Sequence, residues 1–349
     1  MPGWAAGCGP GDAEVRAGAS GMDAAGHGGL AADGLTDAKP EPAPPARTAL
    51  LTFAGDTLLG DDWGSGSFQA VVDSEGYGWC LGAVQPLFAA DDLTIVNLEC
   101  PLTDSTDPYP KGENKEDEPK LYYWYRGPSR NAAILSEGDV EIVNIANNHM
   151  GDFGYGGRAD TMASLDAAGI EYFGYDIRLL REVNGITIGF FGLAFDPNYD
   201  HIAEAVNWLR DNGADVVIAS FHEGDDYATY TTNANQIAAA HNAIDAGADA
   251  VIEHHPHRIQ GYELYQGCPV FYSLGNFCYG GSGFIEDMDT MVVQLRITET
   301  ANGWDVAYEI LPASISSSTG RNDYRPRILE GEEGQAVLAR IEEAAAGGY

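Results

Sequence analysis

Eight histidines occur in this chain of 349 residues, and three of them fall within Glu253-His254-His255-Pro256-His257. The residues just before, Ala248-Asp249-Ala250-Val251-Ile252, are a short apolar run of the kind that forms a buried strand. Pro256 blocks a helix, so the imidazoles are expected on a loop past the strand's C-terminal end. Loops at that edge of a sheet are where α/β proteins set their chemistry. The same placement recurs along the chain. Asp56 follows the run 49–54, Glu99 follows 93–98, Asn148 and His149 follow 141–146, and His222 follows 215–221. Two carboxylates (Asp56, Glu99), an amide oxygen (Asn148) and three imidazoles (His222, His255, His257) are the donor types that hold a divalent metal ion and leave room for water. His149, next to Asn148, is placed to protonate a leaving group, and Asp152 and Glu223 complete the candidate catalytic set. Each residue also has a bland reading. Asp56 is then a turn residue, Asn147-Asn148 a loop that tolerates left-handed backbone, and each histidine a donor to a neighbouring carbonyl. Repetition at successive strand ends favours a site.

The elements that must carry these residues alternate in type. Strands are expected at Ala49–Ala54, Leu93–Leu98, Glu141–Ala146, Ile186–Ala194, Asp215–Phe221 and 249–253, with an edge strand at Leu121–Arg126. Helices are expected at Leu81–Ala90, Ser129–Glu137, Gly157–Gly169, Ile202–Asn212 and Asn233–Ala246, the last two repeats of the pattern ending at Asn or Ala-Gly. Val270–Leu274, Met291–Ile297 and Val306–Leu311 then follow as strands without helices between them. This order implies a layered α/β architecture with a mixed sheet or two sheets. Residues 1–47, rich in Gly, Ala, Asp and Pro, read as a disordered leader and stiff spacer. Residues 48–329 form the folded domain. Residues 330–349 read as an acidic, Ala-rich helix or tail with little apolar stripe.

Charge narrows the function. Against 53 Asp and Glu stand 18 Lys and Arg, a net charge of −35, so binding nucleic acid by neutralising phosphates is excluded. No run is long enough for a transmembrane helix, and this chain shows no intact signal peptide. Ala5-Ala6-Gly7-Cys8 is nevertheless similar to the end of a bacterial lipoprotein signal, which leads to the expectation of an extracytoplasmic, surface-tethered protein. The five cysteines show no metal-binding spacing. Cys100 reads as a small buried hydrophobe, and pairing of Cys268 with Cys278 is open in an exported protein.

Several of these stretches also carry a family resemblance. They are Phe53-Ala54-Gly55-Asp56-Thr57-Leu58-Leu59-Gly60, Val96-Asn97-Leu98-Glu99-Cys100-Pro101-Leu102-Thr103 and Asn147-Asn148-His149-Met150-Gly151-Asp152-Phe153-Gly154. Phe221-His222-Glu223-Gly224, His254-His255-Pro256-His257-Arg258-Ile259-Gln260 and Tyr272-Ser273-Leu274-Gly275-Asn276-Phe277 complete the set. In this order the chain resembles the CapA/PgsA proteins of poly-γ-glutamate capsule synthesis from about Leu50 to Leu295. The resemblance implies a metallophosphatase-like (calcineurin-like) fold, a two-sheet β-sandwich flanked by helices. It also implies one or two divalent ions (Mn, Mg or Zn) on Asp56, Glu99, Asn148, His222, His255 and His257. Several departures stand out. Leu58 occupies the place of a histidine in the first metallophosphatase motif, and Glu99 that of an aspartate in the second. Glu223 stands for a common Trp, Asp226 for a usual Glu and Glu253 for a usual Gly, which leads to the expectation of a more acidic site suited to Mg²⁺ or Mn²⁺.

Three functions follow as alternatives. The first is a metal-dependent hydrolase or transferase acting in capsule synthesis on an anionic polymer through a phosphoester or amide centre, alongside capsule-synthesis membrane proteins. Such a polymer needs a local cationic centre, for which Arg126 and Arg258 are at hand. The second is a general metal-dependent phosphoesterase on a small substrate. The third is a non-catalytic component that binds the polymer during assembly.

Overall fold

The computed structural model describes residues 45–112, 122–196, 198–225, 230–281 and 285–346. Most of the expected leader, the lipoprotein-like Cys8 and the first residue of the edge strand expected at Leu121–Arg126 lie outside these residues.

The chain enters on β1 (Thr48–Leu58), passes the short β2 (Asp61–Asp62) and winds through α1 (Ser67–Glu75), α2 (Gly78–Leu81) and α3 (Gln85–Phe88) into β3 (Leu93–Leu98). The single helix expected at Leu81–Ala90 is therefore two short ones. Pro86 lies in the first turn of α3, where its missing N–H costs nothing, and the chain re-aims between Gly82 and Val84. After β4 (Tyr125–Arg126) come α4 (Ala132–Glu137), β5 (Ile142–Asn144), α5 (Gly154–Ala168) and β6 (Glu171–Phe173). Gly169 closes α5 in the left-handed region (φ 76°), as a C-terminal glycine should. The hairpin β7 (Leu179–Val183) and β8 (Ile186–Ala194) leads to α6 (Asp200–Asp211), β9 (Val216–His222), α7 (Ala234–Asp245) and β10 (Ala250–His254). Asn233 and Gln236 cap α7 reciprocally, each side chain accepting from the other's backbone N–H. The last part holds β11 (Tyr262–Tyr265), β12 (Cys268–Phe271), β13 (Asn276–Tyr279), β14 (Asp289–Thr300), β15 (Gly303–Ser314), β16 (Arg327–Ile328) and α8 (Gly331–Ala346).

Two large sheets result. One has the order β16-β15-β14-β1-β3-β5-β6 with β13 also on β1, and the other β11-β12-β10-β9-β8-β7. β1, β3 and β5 are parallel to one another, as are β8, β9 and β10, so each group ends at one edge of its sheet. The α/β two-sheet sandwich flanked by helices, expected from the sequence, is the fold of this chain.

Strand alternation explains the layering. On β9, Ile218 joins Leu51, Phe53, Ile95, Phe190, Ile252 and Phe271 in the layer between the sheets. Its neighbours Val217, Ala219 and Phe221 face outward and pack on Val206, Leu209 and Ala240 of α6 and α7. The outer face of the first sheet is covered likewise, Leu58, Val96 and Val143 packing with Phe68, Leu81 and Leu135. Strands buried on both faces read as unbroken apolar runs, which is why they stood out in the sequence. The acidic C-terminal helix does carry an apolar stripe: Val337 and Ile341 of α8, four residues apart, are buried in the inter-sheet layer. Cys278 is a free buried thiol, so it does not pair with Cys268.

Candidate metal centre

The site lies where the parallel strands of both sheets end. β1 delivers Asp56 through Gly55, at which any Cβ would stand 2.0 Å from the Gly275 carbonyl oxygen. Only glycine lets the β13 loop come that close, and the Asp56 N–H donates to the same oxygen at 2.9 Å. Glu99 follows β3, its N–H held by the Thr57 carbonyl at 2.9 Å. After β5, the Asn147 side chain shapes the turn. Its Oδ1 accepts from the N–H groups of His149 and Met150, and its Nδ2 donates to the Leu98 carbonyl at 2.8 Å. His222 ends β9. His255 and His257 follow β10 with φ of 103° and 56°, a conformation that costs a non-glycine residue and persists where the surroundings impose it.

Donor atoms of these residues stand close to one another in pairs. His222 Nε2 lies 2.9 Å from Asn148 Oδ1, 3.1 Å from His255 Nδ1 and 3.4 Å from Glu99 Oε1. His257 Nε2 lies 3.6 Å from Glu99 Oε1. Ligand atoms of Glu99, His255 and His257 are all within 4.8 Å of one another. Glu99, His255 and His257 thus form a group that could hold a divalent ion, with His222 Nε2 against Glu99 and His255 and Asn148 Oδ1 against His222. Burial first, and then the neighbouring imidazole, keeps His222 far below the usual histidine range and brings His255 down to about 4, so both rings are neutral with lone pairs to offer. Glu99 and His222 are fully buried, whereas Asn148 is exposed and marks the open side. Phe195 stands edge-on to His255 at 4.7 Å on the rim.

Beside these donors is a second group. His149 Nδ1 is 2.9 Å from Asp152 Oδ2, which also accepts from the Tyr125 N–H at 2.7 Å, while Lys111 Nζ pairs with the other oxygen. The arrangement fixes the ring by its Nδ1 edge and leaves Nε2 for a substrate. Burial lowers the His149 pKa, against the pull of Asp152.

The family described as bacterial capsule synthesis protein PGA_cap matches residues 50–280 of this chain. The chain belongs to that family. Among its relatives, the PGA biosynthesis protein CapA of Bacillus subtilis (strain 168) is 28% identical over 296 residues, covering 77% of this chain and 72% of the relative. The capsule biosynthesis protein CapA of Bacillus anthracis is 25% identical, with 77% and 68% covered. A probable polyglutamine synthesis accessory protein of Mycobacterium tuberculosis is 29% identical over 264 residues, with 65% and 67% covered. Among solved structures, the calcineurin-like phosphoesterase YfkN of Bacillus subtilis has a TM-score of 0.47 at 13% identity, covering 87% of this chain and 98% of that one.

In this PGA_cap member not every residue singled out in the sequence faces the site. His222 points between the sheets, and by alternation Glu223 turns to the α7 side, where its electrostatic neighbours are Asp225 and Glu253. Its half-buried carboxyl, raised in pKa by burial, makes no contact with the ligand group among the described residues. Glu253 shares that outer face. It accepts from Gln236 Nε2 at 3.2 Å, and complete burial pushes its carboxyl well above the usual range; on that face it lies away from the ligand group that it was expected to make more acidic. Arg126 covers the Trp63 ring at 4.9 Å, and Arg258 turns to Tyr230, Glu286 and Asp287. Neither arginine supplies a cation to the ligand group in this arrangement.

Other residues matter that the sequence did not single out. Asn97 Nδ2 bridges Asp56 Oδ1 at 2.8 Å and His222 Nδ1 at 3.2 Å. Asn276 Oδ1 lies 2.9 Å from His257 Nδ1, and His254 Nδ1 3.3 Å from Asp56 Oδ1. All three stood inside the quoted motifs, but only tertiary contacts give them a role. Lys111 carried no signal at all.

Proposed function

We propose that this protein is a metal-dependent hydrolase or transferase of capsule biosynthesis, acting outside the cytoplasm on an anionic poly-γ-glutamate-like polymer or its phosphorylated or amide-linked precursor. One observation carries the reading: ligand atoms of Glu99, His255 and His257 lie within 4.8 Å of one another, with His222 and Asn148 adjoining them, next to a histidine already oriented by a buried carboxylate. Glu99, Asn148, His222, His255 and His257 would hold the ion. A divalent ion there would polarise the scissile bond, activate water and provide the local positive charge that a −35 chain otherwise denies an anionic substrate. The donor set, three imidazoles with an amide and a carboxylate, suits Mn²⁺ or Zn²⁺ better than the oxygen-only preference of Mg²⁺.

The protein's own groups do the rest. His149, held through Nδ1 by Asp152, delivers a proton from Nε2 to the departing group, and Asp152 stabilises the imidazolium before that transfer. Phe195 and Asn148 frame the mouth through which substrate enters. The names of the Bacillus relatives supply the capsule setting, and the lipoprotein-like Ala5-Cys8 supports tethering at the surface near membrane partners of capsule synthesis.

The experiment pairs two substrates with two proteins. Wild type reconstituted with Mn²⁺ is expected to change the length or linkage of poly-γ-glutamate, and His149→Ala to lose this activity by about 10²–10⁴-fold. Turnover of an aryl phosphate without effect on the polymer would select a general phosphoesterase. Stoichiometric polymer binding without turnover would select an assembly component.

A further inference from the structure

A cavity of about 710 Å³ lies beside the loop that carries His257, walled in part by Tyr230, Arg258 and Asp287 and by Arg340 of α8. That volume is in the range of small-molecule sites. Glu99, Asn148, His222, His255 and His257 are not among its walls. In a chain with 18 Lys and Arg against 53 Asp and Glu, two guanidiniums in one cavity are a local concentration of positive charge. Both pack on the Tyr230 ring, Arg258 at 5.1 Å and Arg340 at 5.3 Å from its centroid.

The two are not equally engaged. Arg340 donates to Asp287 Oδ2 at 2.8 Å and to Asp289, and the Tyr230 hydroxyl donates to Asp287 as well, so these charges match one another. Among the described residues Arg258 makes one hydrogen bond, from Nη1 to the Tyr230 hydroxyl at 2.6 Å. Its carboxylate neighbours Glu286 and Asp287 stand at 3.7 Å, beyond hydrogen-bond reach. Its Nε is buried and has no partner among the described residues. A guanidinium offers five donors in a fork that fits a carboxylate, and most of this one remain unmatched. The mouth has the opposite sign. Glu286 and Glu343 line the same cavity and are exposed. A simple anion would meet these two carboxylates on the way to Arg258, whereas a ligand with an ammonium beside its carboxylate finds a partner for each charge.

We infer that this cavity binds an α-amino acid unit, with its carboxylate on Arg258 and its ammonium toward Glu286. A free amino acid carries both charges on one carbon, and so does the terminal unit of a γ-linked glutamyl chain. The terminus of an ordinary peptide has no free carboxylate beside its ammonium. The site does not depend on the metal centre; only the choice of a glutamyl ligand rests on the proposed function.

Calorimetric titration of the full chain with glutamate, before and after metal removal, tests the site. One saturable site per chain is expected, unchanged by metal removal. Binding of 4-aminobutyrate, which lacks the α-carboxylate, should be ~10–100-fold weaker, the effect of one charge-assisted contact. Glutarate, which lacks the ammonium, should bind about 2–5-fold more weakly, because Glu286 is 77% exposed and its pairing is screened. Arg258→Gln should lose ~10–100-fold in glutamate affinity. Glu286→Gln, an exposed change that leaves the fold in place, should weaken glutamate but not glutarate. The inference is overturned by no saturable binding in wild type, by glutarate binding as tightly as glutamate, or by binding lost on metal removal. Full affinity in Arg258→Gln, folded by circular dichroism, overturns it too. Alanine bound more tightly than glutamate would support the amino acid site and tell against the glutamyl polymer of the proposed function.

Discussion

Removing the Asp152 carboxylate should uncouple the proton-transfer group from its support, and the cost follows from the contacts. Asp152 is fully buried. Replacement by Ala leaves the buried Tyr125 N–H without its acceptor at 2.7 Å, worth about 1–3 kcal/mol, and deletes the charge-assisted bond to His149 at 2.9 Å, worth about 1.5–3 kcal/mol. Relief of the buried charge and hydration of the quarter-exposed Lys111 offset part of this. The expected net loss is about 3 kcal/mol, or ~4–5 °C in Tm for a chain of this size. Lys111→Ala alone should cost about 1–3 kcal/mol, because it strands a buried carboxylate. The double variant should cost less than the sum by at least ~1 kcal/mol, since no charge is then left unpaired. Scanning calorimetry and urea unfolding of the four proteins measure this cycle. A single-variant loss below ~1 kcal/mol, or strict additivity, would refute the reasoning that Lys111, Asp152 and His149 act as one unit.

Three further outcomes are expected elsewhere in the fold. Gly55→Ala places a methyl 2.0 Å from the Gly275 oxygen, so β1 and the β13 loop must separate; a loss of more than ~3 kcal/mol in urea unfolding is expected. Ile341→Ala empties a fully buried position under α8 and should cost ~2–5 kcal/mol by the same assay, whereas a loss near zero would mean that α8 does not close the inter-sheet layer. Burial lifts the Glu141 carboxyl from 4.5 to about 7 while it accepts from the Thr94 N–H at 2.7 Å. A carboxyl raised in the folded state holds its proton where the unfolded chain has lost it, so stability should fall as pH rises from 4.5 to 7. Glu141→Gln should flatten that fall, and an unchanged pH profile of the unfolding midpoint would contradict it.

How much the sequence reveals depends on which contacts decide a residue's role. His222, His255 and Glu99 were legible because each follows an apolar run, and the end of a buried strand is a fixed place in an α/β sandwich. Asp56 was legible as part of the site, but its nitrogen neighbours were not, because they come from β3, the end of β10 and the loop after it. Glu223 and Glu253 were misplaced by one step of strand parity: a single residue's shift moves a side chain from the inter-sheet layer to the α7 face. The two-residue β4 lies below the length at which alternation can be read. In α8 the acidic composition hid Val337 and Ile341, whose burial depends on the sheets they meet.

Metal content of protein purified without chelator, measured by mass spectrometry on wild type and His222→Ala, tests the central claim most directly. The converging donors predict near-stoichiometric divalent metal in wild type and its loss in the variant, with the fold retained by circular dichroism. Wild type that stays free of metal even after reconstitution with Mn²⁺ or Zn²⁺, or a variant that holds as much metal as wild type, would contradict it.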